Sequence, residues 1–264
     1  MRQTKLSCLL LVLILSCGVK AQDTRIVNAF LKYSIAYLVD NAHDIPMYQK
    51  LFDVGVNQAE NFFGEPFMKT FVVNLHPNRA SLDRQWQNDW KMPGFKSECW
   101  MVASGISTQL DIIAPTKWKT EACEHDVLDS LATQRLVAHE MVHVFHGQHN
   151  PSGDFSEVEK LDWFVEGLAT YASGQLTDTK MNEISQLVKS GSAPTTVDDF
   201  WKGKSRYSLS GSAVKYLDMN YGRQVIINLL RAKSKAELFS TLQTDEVAFV
   251  QGWKAFILSD EQKK

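Results

Sequence analysis

The 264-residue sequence predicts an α+β fold: an N-terminal mixed α/β lobe ending in a long helix, then an all-helical C-terminal lobe. Three observations carry that expectation. Short runs with strand character, Phe71-Val72-Val73-Asn74-Leu75 and Gln109-Leu110-Asp111-Ile112-Ile113, stand in the first half. Beyond about residue 150 the apolar residues recur at helical spacing. Between the halves, Leu136, Val137, Met141, Val142, Val144 and Phe145 are apolar on more than one side, which calls for a buried helix.

Residues 1–21 read as a signal peptide. Arg2 and Lys5 give a positive start, Leu6 to Ser16 a short apolar run, and Val19-Lys20-Ala21 a small-residue cleavage site before Gln22. That run is too short for a bilayer, and nothing later approaches about 20 consecutive apolar residues, so no transmembrane span is expected. Ile14-Leu15-Ser16-Cys17 also looks like a lipobox, which keeps a lipid anchor at Cys17 as the alternative. The expected location is secreted or periplasmic, with a cell-envelope lipoprotein second. A single domain over 22–264 should follow, its α/β lobe over 22–150 and its helical lobe over 151–264.

Apolar spacing from Ile26 to Leu38 predicts a helix over 23–40. A second helix is expected over 48–63, stopped by Gly64 with Pro66 beyond it. A strand over 71–75 and a helix over 80–90, broken by Met92-Pro93-Gly94, come next. Strands over 99–103 and 109–113 are joined through Gly105, and Pro115 stops the second. The long helix should run over 126–147, ahead of a turn at His149-Asn150-Pro151-Ser152-Gly153-Asp154. Ser156-Glu157-Val158-Glu159 matches a capping box and predicts a helix through Trp163 and Tyr171 to Gly174. Amphipathic helices are expected near 178–190, 208–221, 223–232, 235–242 and 245–258.

The formal net charge is −2, and the leader holds Arg2, Lys5 and Lys20, so the mature chain is more acidic still. With no basic stripe, nucleic acid is not an expected partner. Of the four cysteines, Cys99 and Cys123 remain outside the leader. In an oxidising compartment such a pair forms a disulfide or stays as two buried thiols, and both readings stand.

The long helix contains His139-Glu140-Met141-Val142-His143. Residues four apart lie one above the other, so both imidazoles reach one metal ion. Glu140 projects roughly 100° away, where it touches water at the metal without becoming a ligand. This is the H-E-x-x-H signature of zinc proteases. Left unpaired in a buried helix, such groups would cost roughly 2–7 kcal/mol each.

A catalytic zinc keeps three protein ligands and one position for water. Glu166, which interrupts an apolar helical face in Trp163-Phe164-Val165-Glu166-Gly167-Leu168-Ala169-Thr170-Tyr171, is one choice for the third. Small residues at 167 and 169 suggest that its helix approaches the metal helix closely. The alternative is His149, in a metzincin-like H-E-x-x-H-x-x-G-x-x-H pattern. Here His146 stands where that pattern has its glycine, and Gly147 falls one residue late. His146 itself is about 10 Å along the axis from His139, too far to share an ion, and reads as a core or supporting residue.

The pair HEMVH and WFVEGLATY resembles the gluzincin metallopeptidases, in particular the peptidase MA-like group. The resemblance implies a zincin-like fold, one zinc ion on His139, His143 and Glu166, and Glu140 as general base. It extends loosely to Trp100–Pro115, similar to the group's edge strand before the active helix, and to the stretch from Tyr207 to Trp253. It also makes Tyr207 the expected oxyanion-stabilising residue, with Tyr171 as fallback. One departure is Thr170, where several gluzincins carry an acidic residue that orients a histidine; Asp162, on the same face, is the expected substitute.

The function expected is thus a zinc-dependent metallopeptidase acting on a peptide or protein. The alternative is a non-catalytic, zinc-stabilised surface or binding protein, against which Glu140 argues, since a structural site has no use for that carboxylate.

Overall fold

The structure, a computed structural model, describes residues 25–261. The signal-peptide and lipid-anchor readings therefore lie outside the described residues.

A five-stranded sheet with strand order β1-β2-β3-β5-β4 forms the first lobe. β1 (Ile26–Ala29) pairs antiparallel with β2 (Tyr33–Tyr37), and β2 pairs in parallel with β3 (Phe71–His76). β5 (Gln109–Ile113) continues the parallel set beside β3, and β4 (Ala103–Ile106) closes the edge antiparallel to β5. The expected helix over 23–40 is thus a hairpin followed by a 3-10 turn at Val39–Asp44. The side chains explain why. Tyr33, Ile35 and Tyr37 sit two apart and are buried, and Tyr33 stacks on Phe71 of the neighbouring strand with centroids 5.8 Å apart. Alternation at period two wins over the looser helical spacing once a partner strand exists.

α1 (Ile45–Phe63) starts at Ile45, with proline in its first turn, and ends at Gly64, whose φ of 73° is left-handed. Proline at a helix start loses no hydrogen bond, and glycine alone adopts that end without strain. α2 (Arg79–Asp89) and the short α3 (Trp118–Glu121) flank the sheet region. The strand expected over 99–103 begins instead at Ala103. Arg79 takes the carbonyls of Glu98, Cys99 and Met101 through its guanidinium at 2.6–2.8 Å, and Cys99 is joined to Cys123 with Cα atoms 5.3 Å apart. The fork and the bridge hold this stretch in a turn ahead of the strand.

α4 (Ser130–His149) is the long helix, opened by the Asp129 side chain accepting from the Ala132 amide. It packs on α1 and β4 on one side and on α5 (Asp162–Ala172) on the other. Gly147 does not end it: a Cβ there would lie 2.6 Å from the Gly153 carbonyl oxygen and 2.7 Å from the Ser107 amide. The glycine serves a close approach of loop backbone to the helix. The expected capping box at Ser156–Glu159 does not form either. Asp154 takes both the Ser156 amide and hydroxyl, at 3.1 and 2.8 Å, and α5 opens later, at Asp162.

The second lobe is helical: α6 (Asp178–Lys189), α7 (Arg206–Tyr221), α8 (Arg223–Leu229), α9 (Lys235–Leu242) and α10 (Glu246–Glu261). α5 packs most extensively on α7. Gly167 makes that possible, since a Cβ there would sit 2.5 Å from the Ser210 carbonyl oxygen. The small residue thus serves α7, not the metal helix as expected from the sequence. No helix among the described residues is long and apolar enough to cross a membrane.

Candidate metal centre

α4 and α5 bring His139, His143 and Glu166 together. Their ligating atoms all lie within 4.8 Å of one another. The two Nε2 atoms are 3.0 Å apart, and Glu166 Oε2 lies 3.2 Å from His139 Nε2 and 3.5 Å from His143 Nε2. Atoms bound tetrahedrally at about 2.0–2.1 Å to one zinc would be roughly 3.3 Å apart, so the donor set fits that ion in kind and spacing. Two imidazole nitrogens and one carboxylate oxygen aimed at a single point have no better common partner than a cation.

The electrostatics agree. Burial works against a charged Glu166, yet the two imidazoles hold its carboxyl well below the usual range. His143 is raised: burial opposes its charged form, and Glu166 and Glu140 outweigh that burial. Glu140 is shifted the other way, its carboxyl raised chiefly by burial, with the histidines and the Gly105 backbone opposing. It is 8% exposed, and its Oε2 has no hydrogen-bond partner.

Gly105 brings β4 against this helix. A Cβ at 105 would fall 2.5 Å from the Glu140 carbonyl oxygen and 3.2 Å from His143 Cβ. Since β5 occupies one side of β4, the other edge of the strand faces a cleft of about 730 Å³. The three-residue cluster, Glu140, Tyr207 and Phe155 line the same cleft.

Tyr207 stands in the first turn of α7, its ring centroid 6.2 Å from that of His139. Burial and then Glu166 push its hydroxyl pKa upward, with Arg206 opposing, so the hydroxyl keeps its proton. Arg206 lies over the Tyr207, Trp201 and Trp100 rings at 5.3, 5.3 and 5.5 Å. The fallback, Tyr171, is committed elsewhere: its hydroxyl donates to Asp218 Oδ2 at 2.9 Å.

The metzincin-like alternative is overturned by the position of His149. Its ring stacks on Phe145 at 4.4 Å, and its Nδ1 is 2.9 Å from the Phe145 carbonyl, outside the ligand cluster. His146 is buried edge-on to Phe155 and Phe164. Burial, reinforced by the neighbouring imidazoles, lowers its pKa to about 3, so it is neutral. The supporting role expected of Asp162 is also corrected. That residue is exposed, and His139 Nδ1 has no hydrogen-bond partner. Thr170 is fully buried at the α5–α7 crossing, with its methyl 3.0 Å from where a Gly211 Cβ would be.

Two further cleft residues, Arg135 and Lys180, went unnoticed in the sequence. Arg135 was legible: four positions before His139 puts it on the metal-facing side of α4. Nothing local marks Lys180.

This donor set, with a glutamate between its two histidines, is of the kind that holds zinc in metallopeptidases. The collagenase family, Peptidase_M9, matches residues 115–244, a stretch that holds both ligand motifs. Among solved structures, a two-domain M1 zinc metallopeptidase bound to L-tryptophan is 13% identical, with a TM-score of 0.46 over 89% of this chain and 51% of that one. The same type of enzyme bound to L-arginine is 15% identical, with the same score and coverage. The chain spans about half the length of those structures. No curated protein matches it.

Proposed function

We propose that this is a secreted peptidase that hydrolyses peptide bonds, with one zinc ion held by His139, His143 and Glu166 and with Glu140 as general base. Bound there, zinc would polarise a carbonyl and acidify water. Glu140 takes the proton of the attacking water and delivers it to the leaving amine nitrogen. A carboxyl raised by burial is suited to both tasks, since it neither holds nor loses a proton too firmly. The Tyr207 hydroxyl, kept protonated, donates to the oxyanion that develops on the scissile carbonyl. The outer edge of β4 pairs with the extended substrate backbone, which fixes the bond to be cut beside Glu140.

The observation that carries this reading is the free Oε2 of Glu140, buried beside the ligand cluster without joining it. Glu140→Gln is expected to retain zinc and lose about 10²–10⁴-fold in turnover. His139→Ala should lose the metal as well. Undiminished turnover in Glu140→Gln would remove the base assignment.

Secretion is supported by the leader-like 1–21 stretch and by the Cys99–Cys123 bridge, which suits an oxidising compartment. N-terminal analysis of mature protein decides between Gln22 as first residue and a lipid-modified Cys17. The reading of 22–264 as a single domain is tested by limited proteolysis.

A further inference from the structure

Two cations in the cleft have no part in the proposed chemistry. Arg135 stands four residues before His139 on α4, about 6 Å away along the axis at 1.5 Å per residue. Lys180 stands in the first turn of α6, three residues after the N-cap Thr177. Both line the cleft beside Glu166. The Arg135 Nε lies against Gly174, 3.8 Å from where a Cβ there would be, just past the end of α5.

This corner is unfavourable as it stands. A helix N-terminus disfavours a cation, yet Lys180 occupies one. Lys180 is half-buried: burial lowers its pKa, Glu183 opposes, and the positive charge of Arg135 adds a smaller lowering. Among the described residues no side chain forms an ion pair or hydrogen bond with either cation. Glu124 lines the same cleft without pairing with them. Asp162 opens α5 and Gly174 lies beyond its end, so the two are roughly 18 Å apart along the helix axis. Two part-buried cations thus line one cleft without a direct ion pair, the nearest acidic groups in sequence being Asp178 and Glu183 of α6 itself.

We propose that Arg135 and Lys180 form a carboxylate-binding subsite that selects peptides carrying a carboxylate close to the scissile bond. Both cations line the cleft that holds the metal-ligand cluster, so the carboxylate they would take belongs to a peptide lying in that cleft. The carboxylate is an acidic side chain or the free end of a short peptide; the chemistry is the same. The assignment deepens the peptidase reading and rests on it for the position of the bond.

The test uses the full zinc-loaded chain and matched peptides with Asp or Glu against Asn or Gln at each position flanking the bond, with free or amidated C-termini. Peptides bearing the carboxylate should be cleaved with kcat/KM about tenfold higher than their amides, the low end of a charge-assisted hydrogen bond. That ratio should fall towards one in Arg135→Gln/Lys180→Gln. In Lys180→Glu, a single change at a half-exposed position, it should fall to one or below. A preference that survives amidation assigns the carboxylate to a side chain; one abolished by amidation assigns it to the peptide end. Equal rates for acid and amide peptides, or a preference that persists in the double variant, would overturn the subsite. Fluorescence anisotropy of the labelled peptides on Glu140→Gln reads the same ratio without turnover. Acid-selective binding with no cleavage by the unmodified chain would therefore sink the peptidase reading alone.

Discussion

Gly167→Ala tests how the third ligand is positioned. The residue adjoins Glu166 and lies where α5 crosses α7. An added Cβ would meet the Ser210 carbonyl oxygen at 2.5 Å and its carbon at 2.6 Å. Both are backbone atoms of a buried helix, so no rotamer relieves the clash. Ordinary contact begins near 3.4 Å, so α5 must shift by about 0.9 Å at this point. Overpacking of this kind costs about 1–3 kcal/mol, while alanine in place of a mid-helix glycine returns about 1 kcal/mol. The expected net loss is up to about 2 kcal/mol, read as a Tm lower by up to roughly 8 °C for a chain of this size. Function should suffer more than stability, because displacing a ligand group by about 1 Å can cost about 10²-fold in rate. Gly55→Ala is the control. Its Cβ would meet Val137 Cγ1 at 3.0 Å and Met141 Cγ at 3.1 Å, side-chain atoms that can yield. It should be neutral or slightly stabilising. Thermal melts and turnover of the two variants decide the matter: Gly167→Ala as stable and as active as Gly55→Ala would refute the claim that this crossing positions Glu166.

Three other outcomes follow from named groups. Removing zinc with a chelator should lower stability by RT ln(1 + [L]/Kd), about 2.7 kcal/mol at 100 times Kd, and the melt should recover on adding zinc back. Tyr207→Phe should lower kcat by about 10²–10³-fold with KM little changed, if its hydroxyl serves the developing oxyanion; equal losses in both would point to packing instead. His146, at about 3 in the fold against 6.5 unfolded, takes up its proton only when the chain opens, so stability should fall as pH drops from 6.5 towards 3. The slope contributed is about 1.4 kcal/mol per pH unit, and urea titrations of the zinc-free chain should show it diminished in His146→Leu.

Elements whose signals are local are legible in the chain itself. α1 ends at the glycine that the sequence marks, and β3 and β5 lie on their apolar runs. Where expectation and fold part, a distant partner is the cause. Ile26 to Leu38 satisfies a helical and an alternating pattern at once, and only the neighbouring Phe71 strand favours the second. Residues 99–102 have strand composition, but Arg79, some twenty positions away, takes the carbonyls of Cys99 and Met101. Ser156 has the composition of a cap, but Asp154 is nearer.

The candidate site is more legible than the fold because its donors lie within two helices whose periodicity is intrinsic. What helical periodicity cannot supply is the third dimension. It marks Gly147 as a terminator and sets Gly167 beside the metal helix, whereas one admits the Ser107–Gly153 backbone and the other the Ser210 backbone. In both cases the glycine marks a contact, and the identity of the contacting chain is a property of the packing. The same holds for charge. Arg135 is on the metal face by spacing alone, but it forms a like-charged pair only because α6 begins where α5 ends and turns Lys180 towards it. The features that would decide which peptide bond is cut are therefore the ones written least locally in the chain, while the metal donors and the base are written within eleven residues of α5 and five of α4.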